Sequence, residues 1–251
     1  MLNFKRRRPR ALPFRLLLTF TGAWMLVAAF APGANAALIA YFNFEGPPTP
    51  PYPVNMMSSP LGFVSTTMTT NYNAAATSSQ PGVPLNVVPG DVPNLTALGL
   101  SASSLNDPAN FDIPLFSPQG LFQNMSISFA VNVAGNGFST VALWYSTNGG
   151  GTFTMAPGQT FTLPNSGAVV VSFVVPAAAN NAPLLVLRLQ FTGGQSSGTN
   201  LQDTIDNIQI NGTIVPEPAT VAGGLLGILG LCWHQRRRLI RSVRFRRPVS
   251  V

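Results

Sequence analysis

One cysteine and one histidine serve all 251 residues, and both sit near the C-terminal end, at Cys232 and His234. Residues 37–214 therefore hold no imidazole and no thiol, which excludes serine–histidine triads, cysteine nucleophiles and ordinary zinc sites from that stretch. It can form no disulfide either, so its stability must come from an apolar core or from a metal. Charge is equally scarce, at 8% of the chain. Of the 14 lysines and arginines, Lys5, Arg6, Arg7, Arg8, Arg10 and Arg15 precede the first apolar run, and seven arginines from Arg236 to Arg247 close the chain. Only Arg188 lies between, against Glu45, Asp91, Asp107, Asp112, Asp203 and Asp206. The basic isoelectric point thus describes the termini. A surface that meets nucleic acid needs cations spread over a folded face, and this one has a single arginine to offer. Six acids keep a paired-carboxylate glycosidase open by residue type, but they are scattered and none has an active-site motif around it. No enzymatic activity is expected.

What is present at the ends has the order of trafficking signals. Residues 1–36 run from a basic stretch through Arg15 to an apolar stretch, Leu16 to Phe30, and finish in small residues at Ala34-Asn35-Ala36. That is the layout of a secretory signal, with cleavage expected after Ala36. Fifteen apolar residues fall short of the roughly 20 that a membrane-crossing helix needs, so an uncleaved anchor is the weaker alternative. At the other end, residues 215–251 begin Val215-Pro216-Glu217-Pro218, continue through an apolar, glycine-rich stretch over 219–233, and reach a basic tail, 236–251, headed by Arg236, Arg237 and Arg238. Two prolines make the first part an extended link. A short membrane helix is expected next, and positive charge beyond it favours the cytoplasmic side, leaving residues 37–218 outside the inner membrane.

Motif, helix and arginine cluster in this order resemble the PEP-CTERM sorting signal of Gram-negative bacteria, which an exosortase reads. The resemblance covers about the last 35 residues. It implies that Pro216, Glu217 and Pro218 are the recognition motif, held at the inner membrane for processing by the helix and by Arg236, Arg237 and Arg238. The tail departs from the pattern by continuing to Val251 with four further arginines. An ordinary C-terminal anchor is the plainer alternative.

Between the signals, the pattern is β and no ten-residue stretch has helical periodicity. Ile127, Phe129, Val131 and Val133 alternate with smaller or polar residues, as do Leu185, Leu187, Leu189 and Phe191 with Arg188 and Gln190 among their neighbours. This is the period of strands with one buried face. Val169 to Val175 is apolar on nearly both faces, as a central strand would be, and a last strand is expected near Thr204 to Ile210. Leu38 to Phe44 reads as a strand of the same sheet. Glycine- and asparagine-rich turns follow at 135–137, 148–151, 164–167 and 193–194. Residues 47–118 hold 13 of the 23 prolines and read as long loops with short edge strands, one of them near 61–66. The whole predicts one exported domain over 37–214, an antiparallel, jelly-roll-like β-sandwich.

Two sites emerge as candidates. Alternation puts Asp206 on the side of Ile208 and Ile210, so a core-facing strand would bury its carboxylate at a cost. Phe42-Asn43-Phe44-Glu45-Gly46 and Ile205-Asp206-Asn207-Ile208 resemble the first and last strands of glycan-binding jelly rolls, which implies a structural calcium ion on Glu45 and Asp206, with Asp203 and carbonyls completing its oxygen shell. A solvent-facing Asp206 at a strand end is the alternative. Trp144 falls opposite Leu143 and Tyr145, so a buried Leu143 leaves the indole partly exposed, able to stack on a sugar or to cover one edge of the second sheet. Ser146-Thr147-Asn148-Gly149-Gly150-Gly151-Thr152-Phe153 is similar to an Asp box with asparagine and phenylalanine substituted, read as a turn whose aromatic caps the core. Two functions are compatible with these residues: a structural or adhesive component of the cell envelope or exopolysaccharide matrix, and a lectin-like module that binds an extracellular polysaccharide.

Overall fold

The computed structural model describes residues 36–45, 50–53, 67–91, 96–116, 122–198, 200–214 and 218–244. The signal segment through Asn35, with Ala34, lies outside them, as do the strand expected at 61–66, Pro216, Glu217 and the tail from residue 245.

Among the described residues twelve strands follow in chain order: β1 (Ala37–Phe42), β2 (Tyr52–Pro53), β3 (Thr67–Thr70), β4 (Thr77–Gln80), β5 (Ala97–Ser101), β6 (Ala109–Phe116), β7 (Phe122–Ala134), β8 (Thr140–Ser146), β9 (Thr154–Thr162), β10 (Ser166–Val174), β11 (Leu184–Thr192) and β12 (Leu201–Ile214). They form two antiparallel sheets. The first has the order β10-β7-β12-β5-β4, with β1 also on β12, and the second β2-β3-β6-β11-β8-β9. From β5 onward most connections cross between sheets, giving β5-β12-β7-β10 over β6-β11-β8-β9, the nested-pair order of a jelly roll. The fold is thus the all-β sandwich that the alternating residues predict.

The inner faces meet in one core. Ile127, Phe129 and Val131 of β7 and Ile205, Ile208 and Ile210 of β12 face Phe111 and Ile113 of β6, Leu143 of β8 and Leu187, Leu189 and Phe191 of β11. Phe191 is the hub, with its ring 5.7 Å from Phe111, 6.0 Å from Phe129 and 5.7 Å from Phe138 between centroids. Those separations suit edge-to-face aromatic packing.

Two expectations are corrected. Val169–Val175 is not central: β10 ends its sheet, with Val171 and Phe173 buried and Val170 and Val174 exposed. A run of valines satisfies an edge strand as well as a buried one, because valine suits extended backbone wherever it lies. The proline-rich third, in turn, is more than loops, for it supplies β5 and β6, both inside their sheets. Pro114 is accommodated in β6 because β3 pairs only with residues 111 and 112, so at Pro114 that side of the strand has no pairing neighbour among the described residues, a position where a missing N–H is tolerated.

A helix, α1 (Pro218–Arg244), follows β12. Proline at its first position fits, since the N–H it lacks would have no partner there. Residues 223–237 are exposed throughout, and the Arg237 guanidinium lies 5.3 Å from the centre of the Trp233 ring. A helix thus covers the stretch where a membrane-crossing one was expected, but it runs on through the arginines and the spanning character is not found. No helix of the described residues is long and apolar enough to cross a membrane: four glycines dilute the apolar stretch, and His234 and Gln235 end it before the arginines.

Candidate functional site

The outward face of the second sheet is built by alternation. Leu187, Leu189 and Phe191 point into the core, so Arg188 and Gln190 between them point out. Antiparallel register then aligns neighbours across the sheet. Thr69, Asp112, Arg188, Trp144 and Met155 form one continuous row over β3, β6, β11, β8 and β9. Alongside it runs a second row, Asn110, Gln190, Ala142 and Thr160.

Arg188 organises the first row. Its Nε donates to Asp112 Oδ1 at 2.6 Å and its Nη2 to Oδ2 at 2.8 Å, the two-pronged geometry that fixes a guanidinium plane. The guanidinium carbon stands 3.5 Å from the centre of the Phe153 ring, close enough for a cation–π contact. The one cation of residues 37–214 is thus neutralised and flattened against the sheet. Trp144, next in register, is half-buried, and its indole Nε1 is covered without a hydrogen-bond partner among the described residues. Met155 beyond it is 42% exposed. In the second row, Gln190 Nε2 donates to Asn110 Oδ1 at 3.0 Å, and Asn110 N donates to Asn71 Oδ1 at 2.7 Å. Flat apolar surface beside oriented amides is what a sugar ring needs, since its C–H face stacks and its hydroxyls require donors and acceptors.

Phe153 is placed by the turn before it. Ser146 Oγ donates to Asn148 Oδ1 at 2.7 Å and accepts from Gly150 N at 3.0 Å, while Asn148 Oδ1 accepts from Thr152 N at 3.0 Å. Asparagine thus does the acceptor work of the aspartate in an Asp box. The aromatic that follows does not cap the core as expected. It lies under Arg188 on the outward face, because the turn at 147–153 carries it past the end of β8 before β9 begins.

The three acids expected to share calcium are not brought together. Asp203 and Ile205 point inward, but Asn207 adopts a left-handed backbone (φ 52°) that inserts a bulge into β12. The bulge returns Ile208 to the core and leaves Asp206 on the outer face of the first sheet, opposite the side that unbroken alternation gives. Glu45 is exposed. Among the described residues no group of three or more acids, histidines or cysteines could hold a metal ion.

Both aspartates are buried, each for a different purpose. Asp206 accepts from Val83 N and from Asn207 N, both at 2.8 Å. Burial pushes its carboxyl up to about 7, opposed by those N–H groups. It helps to fasten residues 81–91 over the sheet, a task Asn207 shares by donating to Val83 O at 2.8 Å and Leu85 O at 2.9 Å. Tyr41, on β1, donates to Asp91 Oδ2 at 2.6 Å and also meets Asn207 Oδ1. Burial, followed by Asp91, drives its phenol well above the usual range. Asp203 accepts from Phe138 N at 2.8 Å, while its Oδ1 has no hydrogen-bond partner among the described residues. Burial pushes it up to about 6, with the Phe138 N–H opposing. Gly137 makes room for it, since a Cβ there would stand 2.0 Å from Asp203 Oδ1. A groove of 320 Å³ between residues 80–84 and Asn132, Ala168 and Thr204 is lined by no charged or aromatic side chain.

Sequence alone placed Trp144 on the outward face, but it did not single out Asp112, Asn110 or Phe153 as its company. Only Arg188 carried a signal, as the one cation of the domain at an outward position.

No family model matches the chain, and no curated protein matches it. Among solved structures it is similar to the C-terminal CBM6 module of a marine laminarinase from Zobellia galactanivorans, at 15% identity and a TM-score of 0.36, over 70% of this chain and 98% of that one. It is also similar to the CBM22-1 xylan-binding domain from Paenibacillus barcinonensis, at 11% identity and a TM-score of 0.38, over 74% and 99%. A third is the K1 cleaved adhesin domain of Lys-gingipain from Porphyromonas gingivalis, at 12% identity and a TM-score of 0.33, over 61% and 95%. At these identities and scores the likeness carries nothing about ligand or role.

Proposed function

We propose that residues 37–214 are a non-catalytic module of the cell envelope or exopolysaccharide matrix that adheres to glycan through the outward face of the second sheet. The observation that carries this is the row from Asp112 through Arg188 and Trp144 to Met155, with the amides of Asn110 and Gln190 beside it. The face has stacking surface and hydrogen-bonding groups, and its one cation is matched by Asp112, so it recognises shape and hydroxyls instead of charge. In the same proposal the two ends deliver the domain. The N-terminal segment exports it, and Pro216, Glu217 and Pro218, followed by α1 and its arginines, present it to an exosortase at the inner membrane. Support for the second part comes from the order of elements in the sequence and from a helix that starts at Pro218.

The test is retention of the full chain on a panel of insoluble and soluble neutral polysaccharides by depletion and affinity electrophoresis. Trp144→Ala and Gln190→Ala are each expected to weaken binding by about tenfold or more, the equivalent of ~1.4 kcal/mol. A parent chain that binds none of the panel, or a Trp144→Ala chain that binds as the parent does, leaves the domain as a scaffold without a glycan face.

A further inference from the structure

β10 is a strand with one side unused. It pairs with β7 over all nine of its residues and ends its sheet. Val175 N, just past the strand, donates to Met125 O at 2.9 Å on the β7 side. Alternation therefore turns the N–H and C=O groups of Ala168, Val170, Ser172 and Val174 toward the open side. At the far end Gln159 Oε1 accepts from Val174 N at 2.7 Å, and no strand pairs with the rest of that edge among the described residues. The side chains of these same residues stand on the outer face, where Val170 is 40% and Val174 65% exposed.

Proteins ordinarily blunt such an edge with charge, proline, a bulge or brevity. Three other sheet ends here do so. β4 has four residues, β2 has two and includes Pro53, and β9 carries Pro157 and a Gly158 at φ 70°. β10 has no charged residue and no proline.

We propose that β10 pairs with β10 of a second copy of this chain, antiparallel about a two-fold axis at Val170, so that two sandwiches share one continuous sheet. That register aligns all nine residues, and since Gln159 already holds Val174 N the new ladder runs through residues 168–172. Val170 faces its own counterpart, Ala168 faces Ser172, and Ser166 faces Val174, with no like charges opposed and the exposed valines brought into cross-strand contact. Because the contact is isologous it consumes the edge in both copies and closes as a dimer, instead of growing into a fibre. Gln159 caps only the Val174 end and leaves the centre of the ladder free.

The register gives a direct test in the full chain, kept in mild detergent with Cys232→Ser so that one thiol remains. Val170→Cys is expected to yield a covalent dimer with a short thiol-specific cross-linker. Val174→Cys is expected to yield none, since its counterpart lies roughly 26 Å away at ~3.3 Å per residue. A mixture of Ala168→Cys and Ser172→Cys chains is expected to cross-link to each other, which keeps the test open if position 170 resists substitution. Val170→Lys in the otherwise natural chain is expected to convert the dimer to a monomer by sedimentation. A monomeric parent, cross-linking that is equal or absent at 170 and 174, or a dimer that Val170→Lys leaves intact would each overturn the proposal. A monomeric parent would leave the edge to an extended segment of some other protein.

Discussion

At the scale of single residues, the buried carboxylates make the most specific demand. Asp203 and Asp206 are both raised above 3.8, to about 6 and about 7, chiefly by burial. The folded chain therefore holds protons that the unfolded chain releases, and between pH ~4 and ~7 folding loses free energy as pH rises. Above pH 7 the penalty is fully present. Asp203→Asn keeps an oxygen for Phe138 N and replaces the orphaned, ionisable Oδ1 with a neutral group. Its melting temperature is expected to exceed the parent's at pH 8 and to match it near pH 4, so that the curve flattens. A parent that is equally stable at both values, or a variant less stable at pH 8, contradicts this account. Residue chemistry was legible where it depended on neighbours in sequence, as with Arg188 and Trp144 on alternating positions. It was not legible where it depended on a partner in another strand. Asp112 meets Arg188 across a register that joins residues 76 apart, and no local pattern announces that pairing.

Among elements, the strands that could be read were those with one clean face, β7 and β11. β10 was misplaced because its valines look alike inside and out, and β5 and β6 were hidden by prolines around and within them. The bulge at Asn207 had the largest consequence for the candidate acids. One residue in the left-handed region reversed the facing of Asp206 and set it on the other side of the sheet from Asp203. Asparagine is among the few residues that adopt that backbone readily, so the signal was present but too weak to act on. The same asparagine fastens the 81–91 loop. Asn207→Gly keeps the backbone shape while deleting two bonds to carbonyl groups, a loss of about 1–3 kcal/mol. Amide hydrogen exchange is expected to quicken across 83–91 with β11 unchanged, whereas uniform quickening would mean that the loop is no separate unit.

For the whole molecule, the division of charge is the organising fact. The central domain carries one cation and six acids, and thirteen cations lie in the two ends. Such a distribution suits ends that deal with a membrane and a middle that does not. Deleting residues 216–251 is expected to leave the sandwich folded but to change where it finishes, with the truncated chain shed to the medium. Fractionation and mass spectrometry of the exported material check this. Unaltered export and retention after the deletion, or the uncut chain dissolved in cytosol, would remove the sorting role.

The position of β12 adds a mechanical consequence. It has β7 along one flank and β5 and then β1 along the other, and it ends at Ile214, only three residues ahead of α1. A pull applied at the C-terminal end would run lengthwise along this strand. To yield, it must slide past neighbours on both flanks, breaking many bonds together instead of peeling them one at a time.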